Sequence, residues 1–99
     1  MIVKIHSTPN GKIAAVCDKE ILGKIFEEGK RQLDLSSEFY KGKEMTEKDL
    51  DRIVCGCYIL NIVGKKSVGW AIKKGLIDAD KIIRISSVPH AQCVLARES

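Results

Sequence analysis

Apolar and polar residues alternate along the N-terminal part of the chain. Two runs rich in Val and Ile, residues 2–7 and 12–17, lie on either side of the Asn10-Gly11 pair. Because an Asn-Gly pair between two such runs is typical of a tight turn, the pattern predicts a β-hairpin in which Ile5 faces Val16. One face of this hairpin would carry Val3, Ile5, Ala14 and Val16, and the other Lys4, His6, Thr8, Ile13, Ala15 and Cys17.

The next segment has apolar residues at helical spacing. Asp18 can cap a helix, and Gly29 suits its left-handed end, so a helix is predicted between them. Gly23 inside this segment would cost about 1 kcal/mol relative to Ala. Residues 33–35 then alternate as in a brief strand, and residues 36–43 predict a loop with two aromatic side chains.

Two further helices are predicted in the middle of the chain. Thr46 and Asp49 form a near capping box, and the apolar residues that follow repeat at helical intervals, which predicts an amphipathic helix over residues 47–59. Asn61 can cap a second helix over residues 64–74, and the two would form a helical hairpin. The apolar stripe of the first helix consists of Leu50, Ile53, Val54 and Cys57.

The C-terminal part predicts strands at residues 82–86 and 92–95, separated by residues 87–91. Together these elements indicate a single α+β domain over residues 1–99. Its N-terminal β-hairpin and C-terminal strands would form one sheet, packed by two or three helices.

Composition supports a folded chain with a weak preference for acidic partners. The chain has 99 residues, of which 44% are hydrophobic and 30% charged, and Lys plus Arg outnumber Asp plus Glu by 17 to 13, a formal net charge of +4. No N-terminal segment resembles a signal peptide, and no apolar run approaches the ~18 to 20 residues that span a bilayer. We therefore expect a cytoplasmic protein, without membrane contact, whose four cysteines are reduced.

Two sets of residues resemble parts of reactive sites. Cys55 and Cys57 would point about 200° apart on a helix and have no second ligand pair, so no metal is predicted. His6 and Cys17 share a hairpin face, but neither an orienting third residue nor an oxyanion hole accompanies them. We assign no catalytic residue and no cofactor.

The second predicted helix carries the most informative surface. Lys65 and Lys66 lie in its first turn, where backbone N–H groups and the helix dipole favour an anion such as phosphate. Trp70, Lys73 and Lys74 would follow on the same face as Lys66. A Trp among lysines can stack on a base while the lysines meet phosphates. In the alternative interpretation, Trp70 covers a gap at the edge of the core and the lysines are merely solvated.

Several short segments resemble, in order and spacing, the small archaeal family known as domain of unknown function 424. They are Leu22-Gly23-Lys24, Phe26-Glu27-Glu28-Gly29, Ser37-Glu38-Phe39-Tyr40-Lys41-Gly42, Asn61-Ile62-Val63-Gly64, Gly75-Leu76-Ile77 and Val88-Pro89-His90-Ala91-Gln92. The resemblance implies an archaeal cytosolic protein without an established activity. It also implies that residues 61–64 and 88–92 are segments that members of the family have in common.

The most specific of these segments contains a second candidate site. Pro89 would hold the backbone extended, so that His90 and Gln92 project to the same side and bind a ligand or a partner. In a structural interpretation, His90 instead caps a buried carbonyl and Gln92 pairs with the neighbouring strand.

The function that these patterns favour is non-enzymatic: an RNA-binding or translation-associated accessory protein whose partner is RNA or a ribonucleoprotein. Its binding residues would be Lys65, Lys66, Trp70, Lys73 and Lys74. One alternative is a small enzyme or ligand-binding protein with a pocket around His90, completed by Gln92, His6 or Cys17. Another is a protein-interaction module or homodimer whose partner covers Phe39, Tyr40 or Trp70.

Overall fold

The computed structural model describes residues 1–95 of the chain. Within this range the strands are β1 (Ile2–Thr8), β2 (Gly11–Cys17), β3 (Ile25–Glu28), β4 (Arg31–Asp34), β5 (Lys43–Glu44), β6 (Ile59–Val63), β7 (Ile83–Ile85) and β8 (Val88–Val94). The α-helices are α1 (Glu47–Val54) and α2 (Lys65–Lys73), and short 3-10 turns lie at Lys19–Ile21, Glu38–Tyr40 and Ala79–Lys81.

Six of the strands form one mixed sheet in the order β5-β1-β2-β6-β8-β7. The β2–β6 pairing is parallel and the other pairings are antiparallel. β3 and β4 form a separate hairpin. The N-terminal hairpin and the C-terminal strands therefore share a sheet, which confirms the α+β class.

The two faces of the sheet are covered differently. On one face, Leu50 of α1 and Val68 of α2 pack with alternate sheet residues such as Val16 and Ile62. On the other face, the β3–β4 hairpin and the 3-10 turns at Lys19–Ile21 and Glu38–Tyr40 cover a smaller cluster. Its buried members are Ile2, Cys17, Leu33, Leu35, Val63 and Ile85.

The predicted register of the first hairpin is wrong by two residues. Val3 pairs with Val16 and Thr8 with Gly11, so Pro9 and Asn10 form the centre of the turn. Proline favours the first central position of a turn and glycine the position after the centre, which outweighs the Asn-Gly signal. The predicted faces are nevertheless correct, because side chains alternate with a period of two residues.

The helix predicted between Asp18 and Gly29 is wrong. Only the single 3-10 turn at Lys19–Ile21 forms there, and β3 follows it. Gly23 has a φ of 89°, its N–H donates to Leu35 O at 2.8 Å, and this long-range pairing replaces a helical hydrogen bond. The strand predicted at residues 33–35 forms in part, because Leu33 and Asp34 belong to β4, which ends before Leu35.

The helix predicted over residues 47–59 begins as expected but ends early. The Thr46 side chain accepts a hydrogen bond from Asp49 N at 3.2 Å, as predicted, but α1 ends at Val54. Asn61 lies within β6 and caps no helix, so the predicted helical hairpin is wrong. β6 is a central strand with buried residues on both faces, and such an apolar run resembles a helical stripe in the sequence.

The C-terminal strand is longer than predicted. Residues 88–91, predicted to lie between two strands, belong to β8, which pairs with both β6 and β7. The turn lies at Ser86 and Ser87, which both adopt positive φ angles of 49° and 68°. The sequence pattern does not predict a turn at these two serines, because hairpin turns of this kind usually contain Asn or Gly.

Candidate nucleic-acid interface

The N-terminus of α2 is occupied by a side chain of the protein itself. Asp18 Oδ1 accepts hydrogen bonds from Ser67 N at 2.8 Å and Ser67 Oγ at 2.7 Å, and Asp18 Oδ2 accepts one from Lys66 N at 3.0 Å. Asp18 is only 7% exposed. The predicted phosphate site at these N–H groups is therefore wrong, because an internal carboxylate already takes them.

Gly64 permits this arrangement. Its φ is 107°, and a Cβ at this position would lie 2.6 Å from Asp18 Oδ2. Its N–H donates to Pro89 O at 2.8 Å, which joins the start of α2 to β8. Two of the segments that carry the family resemblance thus meet at a structural junction.

Trp70 does not lie on the exposed face of α2, so its predicted placement is wrong. The residue is 3% exposed, belongs to the larger core cluster, and donates from Nε1 to Asp51 Oδ1 of α1 at 2.9 Å. Ile72 of the same helix is 38% exposed. The hydrogen bond to Asp51 of α1 holds Trp70 on the buried side of α2. Because the indole ring is enclosed there, it cannot stack fully on a base.

The four lysines predicted to bind nucleic acid differ in their electrostatic partners. Lys74 pairs with Asp51 at 3.0 Å, and this contact, followed by the Trp70 hydrogen bond, lowers the pKa of the Asp51 carboxyl. Lys66 pairs with Glu20 at 3.2 Å. Lys65 and Lys73 are exposed, and neither forms an ion pair within residues 1–95. These two lysines retain the most freedom to bind an external anion.

Gly69 lies between these two lysines, four residues from each, on the same side of α2. It is exposed, and a Cβ built on it would meet no atom within 4 Å. A glycine inside a helix is about 1 kcal/mol less favourable than alanine, so the fold itself gains nothing from it. Its backbone is open to close approach by another molecule.

The side of α2 that carries Gly69 lines a groove of about 500 Å³, which we call the lysine groove. It lies between α2 and the start of α1, and its charged lining residues are Lys65, Lys66 and Lys73 of α2 and Glu47 of α1. Its remaining lining residues are Met1, Met45, Thr46, Gly69 and Trp70. The groove therefore combines lysine ammonium groups with apolar side chains.

His90 and Gln92 project from the same face of β8, opposite Val63 and Asn61 of β6, as their spacing predicted. His90 Nε2 is buried and has no hydrogen-bond partner among the described residues 1–95, so within this range the side chain caps no carbonyl through this atom. Burial, followed by the charge of Arg31, lowers the pKa of His90. Gln92 is exposed. A ligand or partner role for this pair stays a prediction.

His6 and Cys17 are not close enough to act as a pair. Cys17 pairs with Ile2 at one end of β1, whereas His6 pairs with Ile13 toward the other end. His6 Nε2 donates to Phe39 O at 2.9 Å, and its ring stacks on Phe39 at 4.5 Å. Cys17 is fully buried, and burial, with the charge of Asp18, raises its pKa to about 11. A cysteine nucleophile is not formed here.

The aromatic residues suggested for a partner surface are partly used inside the fold. Phe39 packs edge to face against Tyr40, with the ring centroids 5.0 Å apart. Burial, followed by the charge of Cys17, raises the pKa of Tyr40 to about 12. Trp70 is buried, whereas Phe39 and Tyr40 are both half-buried, so these two could still offer part of their rings to a partner.

The cysteines and acidic groups show no metal-binding cluster in the described part of the chain. Among residues 1–95, no three His, Cys, Asp or Glu side chains converge. Cys55 and Cys57 lie beyond the end of α1 and donate from Sγ to the carbonyls of Asp51 and Ile53. Cys17, Cys55 and Cys93 are free thiols. No helix within residues 1–95 is long and apolar enough to cross a membrane.

The sequence prediction missed two residues that shape this region. The sequence predicts that Asp18 caps the helix directly after it in the chain. No local pattern indicates that its carboxylate caps α2 instead. Gly69 could have been singled out from the sequence. It lies inside a predicted helix, with lysines four residues before and after it, and helix propensity does not explain a glycine there.

Comparison with known proteins places the chain in its family without indicating an activity. The family model described as "Protein of unknown function (DUF424)" matches residues 5–95. A crystal structure of an uncharacterized conserved protein from Methanopyrus kandleri is similar, with 29% sequence identity and a TM-score of 0.81. The similarity covers 99% of this chain and 94% of that one. A search of curated proteins gave no match.

Proposed function

Since the chain belongs to the DUF424 family, which is described only as proteins of unknown function, we propose a function from the lysine groove itself. The protein binds single-stranded RNA without catalysing a reaction, and the phosphates of the strand lie along α2 between Lys65 and Lys73. The observation that carries this proposal is Gly69, an exposed mid-helix glycine between two lysines that form no ion pair with any other residue in the range 1–95.

The spacing of the groove suits an extended anion. Eight residues of α-helix separate the two lysines, a rise of about 12 Å, so their ammonium groups can contact different phosphates of one strand. Gly69 between them presents no side chain, which lets the strand lie close to the helix. A compact anion such as free phosphate would use only one of the two lysines.

The apolar lining of the groove favours nucleic acid over a simple acidic surface. Met1, Met45 and Trp70 line it together with the lysines. Single-strand binders combine ammonium groups for the backbone with apolar or aromatic contacts for sugars and bases. The wider charge of the chain, +4, assists the approach of a polyanion.

The test measures the affinity of a fluorescein-labelled single-stranded RNA by anisotropy at several salt concentrations. The double variant Lys65→Glu with Lys73→Glu should bind at least about tenfold more weakly, with a salt dependence shallower by about two released counterions. The matched control is Lys24→Glu with Lys30→Glu, two exposed lysines beside and in the β3–β4 hairpin. Each pair of exchanges lowers the formal net charge from +4 to 0.

Equal losses in the two double variants would mean that only the net charge matters, and the proposed groove would be rejected. Binding of the RNA no tighter than that of polyglutamate to the unaltered protein would reject RNA as the partner.

A further inference from the structure

A second depression lies next to the lysine groove, on the far side of the α2 N-terminus. It has a volume of about 230 Å³ and lies between the 3-10 turn after β2, the start of α2 and the start of β8. Its walls include the apolar side chains of Ile21, Val88 and Pro89, and we call it the Pro89 pocket. Its size is below that of pockets for drug-sized ligands, so it suits a single ring system.

The interior of the Pro89 pocket does not suit a phosphate. Asp18 lies in its lining and places a carboxylate there. The N–H groups of Lys66 and Ser67, which would otherwise attract an anion, already donate to that carboxylate. The pocket therefore favours a neutral, flat and largely apolar group, for which aliphatic walls provide contact.

The Pro89 pocket and the lysine groove share two residues. Lys65 and Lys66 line both depressions. A phosphate held by Lys65 in the groove thus lies at the boundary of the pocket. A base attached one sugar away from such a phosphate would be next to the pocket entrance.

Hydrogen bonds within the fold hold the rim of the Pro89 pocket in place. Ser86 Oγ donates to Glu27 O and Ser86 N to Glu28 Oε1, each at 2.7 Å, which ties the β7–β8 turn to the β3–β4 hairpin. The adjacent Ser87 lies in the pocket lining with a φ of 68°, and its hydroxyl has no partner within residues 1–95. A hydroxyl in this position can donate to or accept from the edge of a base.

From these observations we propose that the Pro89 pocket receives one unstacked base of the RNA strand bound in the lysine groove. The inference rests on the proposed RNA binding and adds that the bound strand is single-stranded with one base turned out of the stack. The lysines bind the backbone, and Ile21, Val88 and Pro89 enclose the base.

The experiment compares two labelled chains of equal length and charge, an oligouridylate and a fully abasic ribose-phosphate chain. The unaltered protein should bind the base-bearing chain about tenfold more tightly. Ile21→Phe, which extends a ring into the pocket, should lose most of this preference, leaving only the part that base contacts in the lysine groove contribute. Ile25→Phe is the matched control, because Ile25 is 51% exposed on β3 and lines neither depression.

A second pocket-filling variant, Ser87→Asn, keeps the test valid if Ile21→Phe does not fold, since Asn tolerates the positive φ. Equal affinity of the unaltered protein for both chains would overturn the base pocket while leaving lysine-dependent RNA binding intact. An undiminished preference for bases in the folded pocket variants would place the bases elsewhere and also overturn it. Failure of both chains to bind in a salt-dependent manner would reject the proposed function itself.

Discussion

Two glycines of the α2 segment, five residues apart, lie in different physical surroundings. Gly64 is enclosed, with a positive φ and the Asp18 carboxylate against it. Gly69 is exposed, and a Cβ there would touch nothing. The first glycine is explained by contacts inside the protein, whereas the second weakens the helix with no internal gain. The difference separates a structural junction from a surface that is open to a ligand.

The largest expected effect is at the enclosed glycine. Gly64→Ala should lower the free energy of unfolding by about 3 kcal/mol, because the new Cβ collides with Asp18 and the backbone angle disfavours alanine. Urea unfolding followed by circular dichroism measures this loss. A loss below about 1 kcal/mol would show that the junction relaxes easily and that the contrast between the glycines is overstated.

The carboxylate at the same junction gives the next effect. Asp18→Asn should lower the free energy of unfolding by about 2 kcal/mol, because an amide NH₂ replaces one of the two acceptor oxygens facing the N–H groups of α2. Glu20→Gln, the same chemical change at an exposed neighbour, is the control in the same urea experiment. If both variants lost the same stability, the internal cap would not be specific to Asp18.

The open glycine should respond in the opposite direction. Gly69→Ala should raise the free energy of unfolding by about 1 kcal/mol, since alanine favours the helix and meets no neighbour. RNA affinity should fall at the same time, because the methyl group lies between Lys65 and Lys73. Thermal unfolding and anisotropy measure the two quantities on one preparation. Higher stability with unchanged affinity would remove the argument for close approach of a strand.

The smallest expected effect is at His90, whose buried Nε2 has no hydrogen-bond partner within residues 1–95. His90→Ala should change the free energy of unfolding by less than about 1 kcal/mol at pH 8, because no hydrogen bond of Nε2 is lost. The folded-state pKa of His90 is lowered, so the stability that depends on its neutral form is lost as pH falls below the ordinary value of 6.5. Unfolding at pH 8 and pH 5 should therefore show a larger loss in the unaltered protein than in His90→Ala.

Features that depend on neighbours in the chain were predictable. The faces of the first hairpin, the Thr46 cap and the extent of α2 follow from alternation, capping and helix propensity, which act over a few residues. The resemblance carried by residues 88–92 and the other segments also identified the family correctly. The lysines of α2 could be placed on a helix by the same local rules.

The sequence by itself thus determined the α+β class, the family and the helix that carries the candidate lysines. Only the tertiary structure decided that Trp70 turns inward to Asp51, that Asp18 caps α2 across 48 residues of chain, and that residues 59–63 form a central strand. Each depends on a contact between residues far apart in the chain, where burial and hydrogen bonding outweigh local preferences of a few tenths of a kcal/mol per residue. Such a contact leaves no periodic signal around either partner.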